Sequence, residues 1–336
     1  MKLAIDVFGG DNAPQAVLEG CAAALGRYAD IELLLFGDEP TMRAALAQYP
    51  QLQGDRVTLH HAPQVIGCDE PPTQAVRGKK ESSLVRALTA VREGEAACVV
   101  SAGSTGALLA GATFIVRRIQ GVKRPALGMP LPSLTGQTML MDCGANVDCK
   151  PSYLVQFAVM SSAYLTQVLG VQNPRIGLLN NGTEAEKGNA LTKAAYALLK
   201  DAPVNFAGNC EARDILSGAF DAVICDGFAG NVVIKNLEGL AEAIFTMLKR
   251  ELTADVRSKL GAALAGPAFR RLKRVMDYTE YGGAPLLGAE GGVIKAHGSS
   301  NAKAFAAAIG QARNYALGHV SDAIREGIAL LPEIED

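Results

Sequence analysis

Tryptophan is absent, aromatic residues make up only 5% of the chain, and four histidines occur among 336 residues. A core so poor in large rings must be built from Ala, Val, Leu and Gly, which suits close helix-on-sheet packing better than an aromatic-rich β-sandwich. Long apolar runs are also missing: the longest near-run, Gly106 to Val116, is about half of a membrane span. The stretch Leu3–Val7 is too short for the apolar region of a signal peptide. An excess of charge of one sign is absent too. With 32 basic and 34 acidic groups the net charge is −2, which excludes a chain-wide polyanion-binding function and makes nucleic acid an unexpected partner. Seven scattered cysteines include no CxxC pair, and Cys143 and Cys149 have no His-rich segment beside them. Reduced, buried thiols of a cytoplasmic protein compete with a metal site; the first is the expectation, and no metal is assigned.

Catalytic signatures are equally sparse. There is no Gly-x-Ser-x-Gly elbow, no Walker A lysine and no Gly-x-Gly-x-x-Gly after a strand. What the chain does have is a repeated unit: a short, continuously apolar run, a glycine-containing turn, then a longer run with helical spacing. The runs are Leu3–Val7, Ile31–Phe36, Ala97–Ser101, Thr138–Met141, Ile176–Leu179 and Ala222–Cys225. Helical spacing follows them over Ala16–Leu25, Thr41–Gln48, Ala107–Arg118, Ser152–Leu169, Ala190–Lys200 and from Val232 onward. Continuous rather than alternating apolar strands are those covered by helices on both faces, so the reading is one α/β domain over 1–336 with a mostly parallel sheet. In such sheets ligands sit beyond the carboxyl ends of the strands, and the polar turns are expected to share one such edge.

Those turns hold the candidate site residues. Asp6, Gly9, Gly10 and Asp11 follow the first strand. Ser101-Ala102-Gly103-Ser104-Thr105-Gly106 follows another and opens a helix, as either a hydroxyl-capped connector or an anion site made of backbone N–H groups. Asp142, Asn146 and Asp148 follow a third. Lys187 lies seven residues past a fourth strand end, either solvated or returning over the pocket as a cation. Asp226-Gly227-Phe228-Ala229-Gly230-Asn231 follows a fifth, with Asn231 either capping the next helix or facing a ligand carbonyl. His297 precedes the last helix. Anion donors and a lysine without an evident nucleophile suit a reaction in which the anion itself attacks.

The segment from about 237 to 278 has helical spacing and no strand. Between Lys249 and Arg274 eight basic residues face two acidic ones, an excess of +6. The reading is a protrusion of two helices meeting near Gly266-Pro267. Leu260, Leu264, Phe269 and Leu272 form an apolar stripe rimmed by Lys and Arg, as required of a helix lying on an anionic membrane; packing against a dimer mate explains the same stripe. After it, Tyr281–Pro285 and Gly291–Lys295 suggest a small β element, and Ser299–Glu326 one closing helix.

The motifs Asp6-Val7-Phe8-Gly9-Gly10-Asp11, Ser101–Ala107, Asp142–Asp148, Gly182–Asn189, Cys225–Asn231 and Ile294-Lys295-Ala296-His297-Gly298 together resemble the bacterial phosphate acyltransferase family, in order, over about 6–314. Departures are Phe8 where that family usually has Met, Asn12 for His, Ser104 for Asn and Asn181 for an aliphatic residue. The resemblance implies a fold related to phosphotransacetylases and to isocitrate and isopropylmalate dehydrogenases, without a cofactor. It implies formation of acyl-phosphate from acyl-acyl-carrier-protein and inorganic phosphate, feeding phosphatidic acid and membrane phospholipid synthesis. It further implies a homodimer, peripheral attachment to the inner face of the cell membrane and a downstream glycerol-3-phosphate acyltransferase, and it ties Lys187 and Asn231 to activity. Alternatives are a phosphotransacetylase-like enzyme using acyl-CoA and a non-catalytic membrane scaffold that docks carrier protein.

Overall fold

The computed structural model describes residues 1–276 and 282–334. Its strands are β1 (Lys2–Asp6), β2 (Glu32–Gly37), β3 (Val57–His61), β4 (Cys98–Ser101), β5 (Ala126–Ser133), β6 (Gly136–Met141), β7 (Arg175–Asn180), β8 (Asn205–Glu211), β9 (Ala222–Ile224), β10 (Ala284–Leu287) and β11 (Gly292–Lys295). Its helices are α1 (Gln15–Arg27), α2 (Glu39–Leu46), α3 (Pro72–Gly78), α4 (Ser83–Arg92), α5 (Thr105–Gly111), α6 (Pro151–Leu169), α7 (Ala190–Lys200), α8 (Gly227–Leu252), α9 (Val256–Met276), α10 (Ala302–Leu317) and α11 (Val320–Ala329).

All eleven strands join one sheet in the order β3-β2-β1-β4-β11-β10-β5-β6-β9-β7-β8. Successive side chains of a strand point to opposite faces, and here both faces are buried. Leu3, Ile5, Leu33, Leu35, Cys98 and Val100 enter one core with α1, α6 and α10. Ala4, Leu34, Phe36 and Val99 enter the other with α3, α4 and α5. The mostly parallel sheet covered on both faces is therefore as the apolar runs imply. Helix α6 illustrates the local logic: Pro151 opens it, Gly170 closes it at φ 68°, and buried residues lie all around it.

Four features differ from the sequence reading. The ladder has two parallel blocks, β3-β2-β1-β4-β11 and β6-β9-β7-β8, whose strands run in opposite senses because β10 and β5 between them pair antiparallel. The polar turns accordingly form two groups rather than one row at a single sheet edge. Second, the helical protrusion turns at residues 253–255, and Pro267 lies inside α9. The Asp255 carboxylate accepts the N–H groups of Arg257 and Ser258 at 2.8 and 2.9 Å, a stronger helix start than Gly266-Pro267 is a stop. Third, α8 begins at Gly227, five residues before Val232, because Asp226 caps it. Fourth, the closing helix is two, α10 and α11, broken at Gly318-His319 where His319 has φ 48°. The expected end of the protrusion near Tyr278, Tyr281 of the next turn, and the side chains from Lys273 to the end of α9 lie outside the described residues.

Candidate active site

The first group of turns lies at the carboxyl ends of β1, β4 and β11. Ile5 pairs with Val100 and Ser101 with Lys295, so Asp6, Ser101 and Lys295 stand side by side on three adjacent parallel strands. The Ser101 hydroxyl donates to Asp6 Oδ2 at 2.6 Å and accepts the Gly103 N–H at 3.0 Å. Burial pushes the Asp6 carboxyl up, and the Ser101 hydroxyl bond partly opposes it. Backbone approaches so closely here that a side chain has no room at position 9: a Cβ on Gly9 would lie 2.4 Å from Asp6 Oδ2 and 2.8 Å from the Gly103 nitrogen. Gly10, at φ 103°, turns the chain so that the Asp11 N–H reaches the Gly298 carbonyl at 2.9 Å. Asn12 Nδ2 donates to Ser299 O at 3.1 Å, locking this turn to the one that carries His297. The exposed His297 ring meets Ser299 Oγ through Nδ1 at 2.8 Å, and partial desolvation of the ring lowers its pKa, which favours the neutral form. Ser104 is the cap of α5, accepting from Ala107 N at 3.3 Å; Thr105 is exposed and Gly106 half-buried beside it.

The second group lies at the carboxyl ends of β6, β9 and β7, which are neighbours in that order. Asp142 is its organiser. Its buried carboxylate accepts the N–H groups of Leu127, Ala145 and Asn146 and the Asn146 side-chain amide. The Asn146 amide also donates to Pro125 O, so both Asp142 and Asn146 shape the turn; Asp148 is exposed. Asp226 caps α8 by accepting from Ala229 N at 2.8 Å. Asn231 is therefore not the cap; it sits exposed in the second turn of α8 beside Gly144.

Lys187 is exposed on the β7–α7 loop, and among the described residues its amine has no ion-pair partner. The loop beneath it is held at two points. Asn180 Nδ2 donates to Lys187 O at 3.1 Å, and buried Asn209 donates to Glu184 O at 2.7 Å. Asn209, on β8, is a positioning residue that carries no sequence signal beyond an amide in an apolar neighbourhood.

Helix α8 links the groups. Lys235 and Glu238 follow Asn231 at i+4 and i+7, hence on the same helix face, and both act electrostatically on His297. His297 of the first group thus lies within electrostatic range of the α8 face that carries Asn231. Lys295 stands in the Ile294–Gly298 motif without a role of its own; its further signal is a lysine inside the apolar run Val293-Ile294-Lys295-Ala296, where a charge is costly.

Residues 1–322 match the family model described as fatty acid synthesis protein. A curated phosphate acyltransferase of Clostridium botulinum is 51% identical over 313 residues, 93% of each chain. Two solved structures share the fold: a Streptococcus pyogenes phosphotransacetylase (TM-score 0.59, 18% identity, 96% of this chain and 94% of that one) and an Enterococcus faecalis branched-chain phosphotransacylase (TM-score 0.57, 14% identity, 94% and 99%). At half identity along nearly its whole length, this chain belongs to the fatty acid synthesis protein family and is, like its phosphate acyltransferase relatives, an acyl-transferring enzyme.

Proposed function

We propose that the enzyme transfers an acyl group from acyl-acyl-carrier-protein to inorganic phosphate, giving acyl-phosphate for phosphatidic acid and membrane phospholipid synthesis. The observation that carries this is the Lys187 ammonium, unpaired among the described residues, on a pinned loop next to a turn whose Asn231 amide is not spent on capping. Phosphate is largely dianionic near neutral pH and needs positioning and desolvation more than deprotonation. Lys187, together with the Gly103–Gly106 turn of the first group, would hold it in line with the thioester carbon. Asn231 would donate to the oxyanion as the carbonyl becomes tetrahedral, and the carrier's thiolate then leaves. Neutral His297 is suited to accept a proton or orient a donor rather than to act as a strong acid. Cysteines close to Asp142 are poor nucleophiles: burial pushes Cys143 and Cys225 far up and Cys149 to about 12, which favours direct attack over an acyl-cysteine intermediate.

The test is to mix acyl-carrier thioester with phosphate and trap the product with hydroxylamine. Phosphate-dependent hydroxamate is expected. Product from acyl-CoA but not from the carrier thioester would favour the phosphotransacetylase-like alternative, and docking without product the scaffold.

An acidic carrier needs local positive surface. Of the basic residues flanking the first group, Lys79 is held by Glu70 at 2.8 Å and Lys123 by Ser152 and the Ile334 carbonyl. Arg77, stacked 5.1 Å over the Phe114 ring, and exposed Lys80 remain outward. Arg77→Glu with Lys80→Glu is expected to raise the carrier-substrate KM and flatten its salt dependence, with phosphate KM unchanged. An unaltered carrier KM at low salt removes this surface from the reading.

Membrane contact belongs to the α8–α9 hairpin. No helix among the described residues is long and apolar enough to cross a membrane. Val256 and Leu264 are 72% and 86% exposed, Leu260 and Leu272 are also exposed, and Phe269 is half-buried. Leu260→Glu with Leu264→Glu should abolish binding to anionic vesicles while the proposed homodimer and activity on dissolved substrate persist. Retained vesicle binding, or dissociation of the dimer instead, would count against lipid contact at this stripe.

A further inference from the structure

Lys295 is the only basic residue buried among those described, retaining 8% exposure. A lysine ammonium carries three N–H donors. Two are spent here, on the carbonyls of Ala102 and Ala296, the first at 3.2 Å. Among the described residues no carboxylate comes within ion-pair distance of the amine; Asp6 and Asp11 act on it only from further away. Removing a cation from water without a contacting counter-ion is among the most expensive arrangements a fold can hold, and buried charges are normally paired. The register of β1, β4 and β11 sets this cation at the carboxyl ends of three adjacent parallel strands, where open α/β sheets receive ligands. One of its acceptors, Ala102 O, directly precedes the Gly103 turn, and Gly10 approaches that turn so closely that a Cβ would lie 2.8 Å from the Ala102 side chain.

Resting on the reading that phosphate is the acyl acceptor, we propose that Lys295 is a phosphate-binding residue, its remaining N–H donating to a phosphate oxygen and the bound anion supplying the counter-ion that the protein withholds. Lys187 follows β7 and Lys295 ends β11, strands of different parallel blocks, so on this assignment they contact the anion from different sides. Hydrogen bonds to the two carbonyls fix the amine in place beforehand, so little side-chain freedom remains to be lost on binding. Burial also lowers the amine's pKa to about 8, with Cys68, Asp6 and Asp11 opposing that shift; the amine in turn helps to lower the pKa of His297. The binding form, which is charged, is therefore the majority below about pH 8 and is lost above it.

Phosphate and acyl-donor saturation curves test this in wild type, Lys295→Met and Lys295→Arg. Lys295→Met should raise phosphate KM at least about tenfold and leave acyl-donor KM within about twofold, with Lys295→Arg in between. A merely structural lysine would change Tm or scale kcat without singling out phosphate. In wild type, phosphate KM should rise above about pH 8, and Cys68→Ser should show the same rise, which separates the thiol from the amine. That series needs no variant of Lys295 and so decides the matter if Lys295→Met fails to fold. An unchanged phosphate KM in Lys295→Met, or a flat wild-type profile from pH 7 to 10, overturns the assignment. Should wild type yield no acyl-phosphate at all, the functional reading fails instead. Thermal protection by inorganic phosphate then still judges the site: protection of wild type but not of Lys295→Met supports it, and equal or absent protection of both refutes it.

Discussion

Lys187→Ala is expected to lower turnover by about two orders of magnitude while leaving Tm within about 1 °C of wild type. The two halves of that expectation come from different atoms. The ammonium is exposed and unpaired among the described residues, so deleting it removes no ion pair of the folded state. The backbone at the same position is what the fold uses: Lys187 O accepts from Asn180, and Lys187 N donates to Glu184 O at 3.1 Å. Alanine preserves both. If the ammonium meets negative charge developing on the transferred group, its loss falls on kcat as well as on phosphate KM, whereas a solvated lysine would change neither. Near-normal turnover in a folded Lys187→Ala protein would end its candidacy. Asn231→Ala belongs in the same experiment. Because Asp226 and not Asn231 caps α8, a loss of turnover there should also come without a loss of Tm.

Gly230→Ala should do the reverse, destabilising first and inactivating as a consequence. A Cβ at Gly230 would lie 1.8 Å from Asp142 O and 2.9 Å from Cys225 Sγ. Neither neighbour can yield cheaply. The Asp142 carboxylate is committed to Leu127 of β5 and to Ala145 and Asn146 of the following turn, so moving its carbonyl strains two segments at once. Overpacking of this kind costs about 3 kcal/mol or more, a fall in Tm on the order of 5 °C. Asn231, the next residue, is displaced with it. Wild-type unfolding of the Gly230→Ala protein would show that β6 and α8 are not rigidly joined, contrary to the contacts between them.

Strands β1, β2, β4, β6, β7 and β9 were legible because each is a run of apolar residues followed by a glycine turn. β3 was not, since Val57–His61 alternates and ends in histidines near the sheet's edge. β5 contains Pro130 and Pro132, which argue against a strand, yet both occupy the ladder with β6. β8 lies at the other edge and carries Asn205 and Asn209. Motif residues were legible as polar turns at strand ends. Their division into two walls was not, because strand polarity depends on where β10 and β5 insert, and no local pattern encodes that. Lys295 was hidden for a related reason: its neighbours Asp6 and Ser101 come from strands nearly 200 or more residues away. The protrusion was recognised by its charge but not its bend, because Pro267 looks like a break whereas Asp255, an ordinary capping residue, makes one.

Strands β10 and β11 sit between β4 and β5, in the middle of the sheet, although they come from residues 284–295. During synthesis the earlier strands of each block emerge first and can pair among themselves, but no strand pairing joins one block to the other until this late segment has left the ribosome. The Asp6 wall gains its lysine and histidine at the same moment. A nascent chain that stalls before this point therefore holds two half-sheets, each with an open inner edge exposed to other chains. Closing such distant pairs makes for slow, late consolidation, so the interval between the two half-sheets and the finished sheet is when this protein most needs a chaperone.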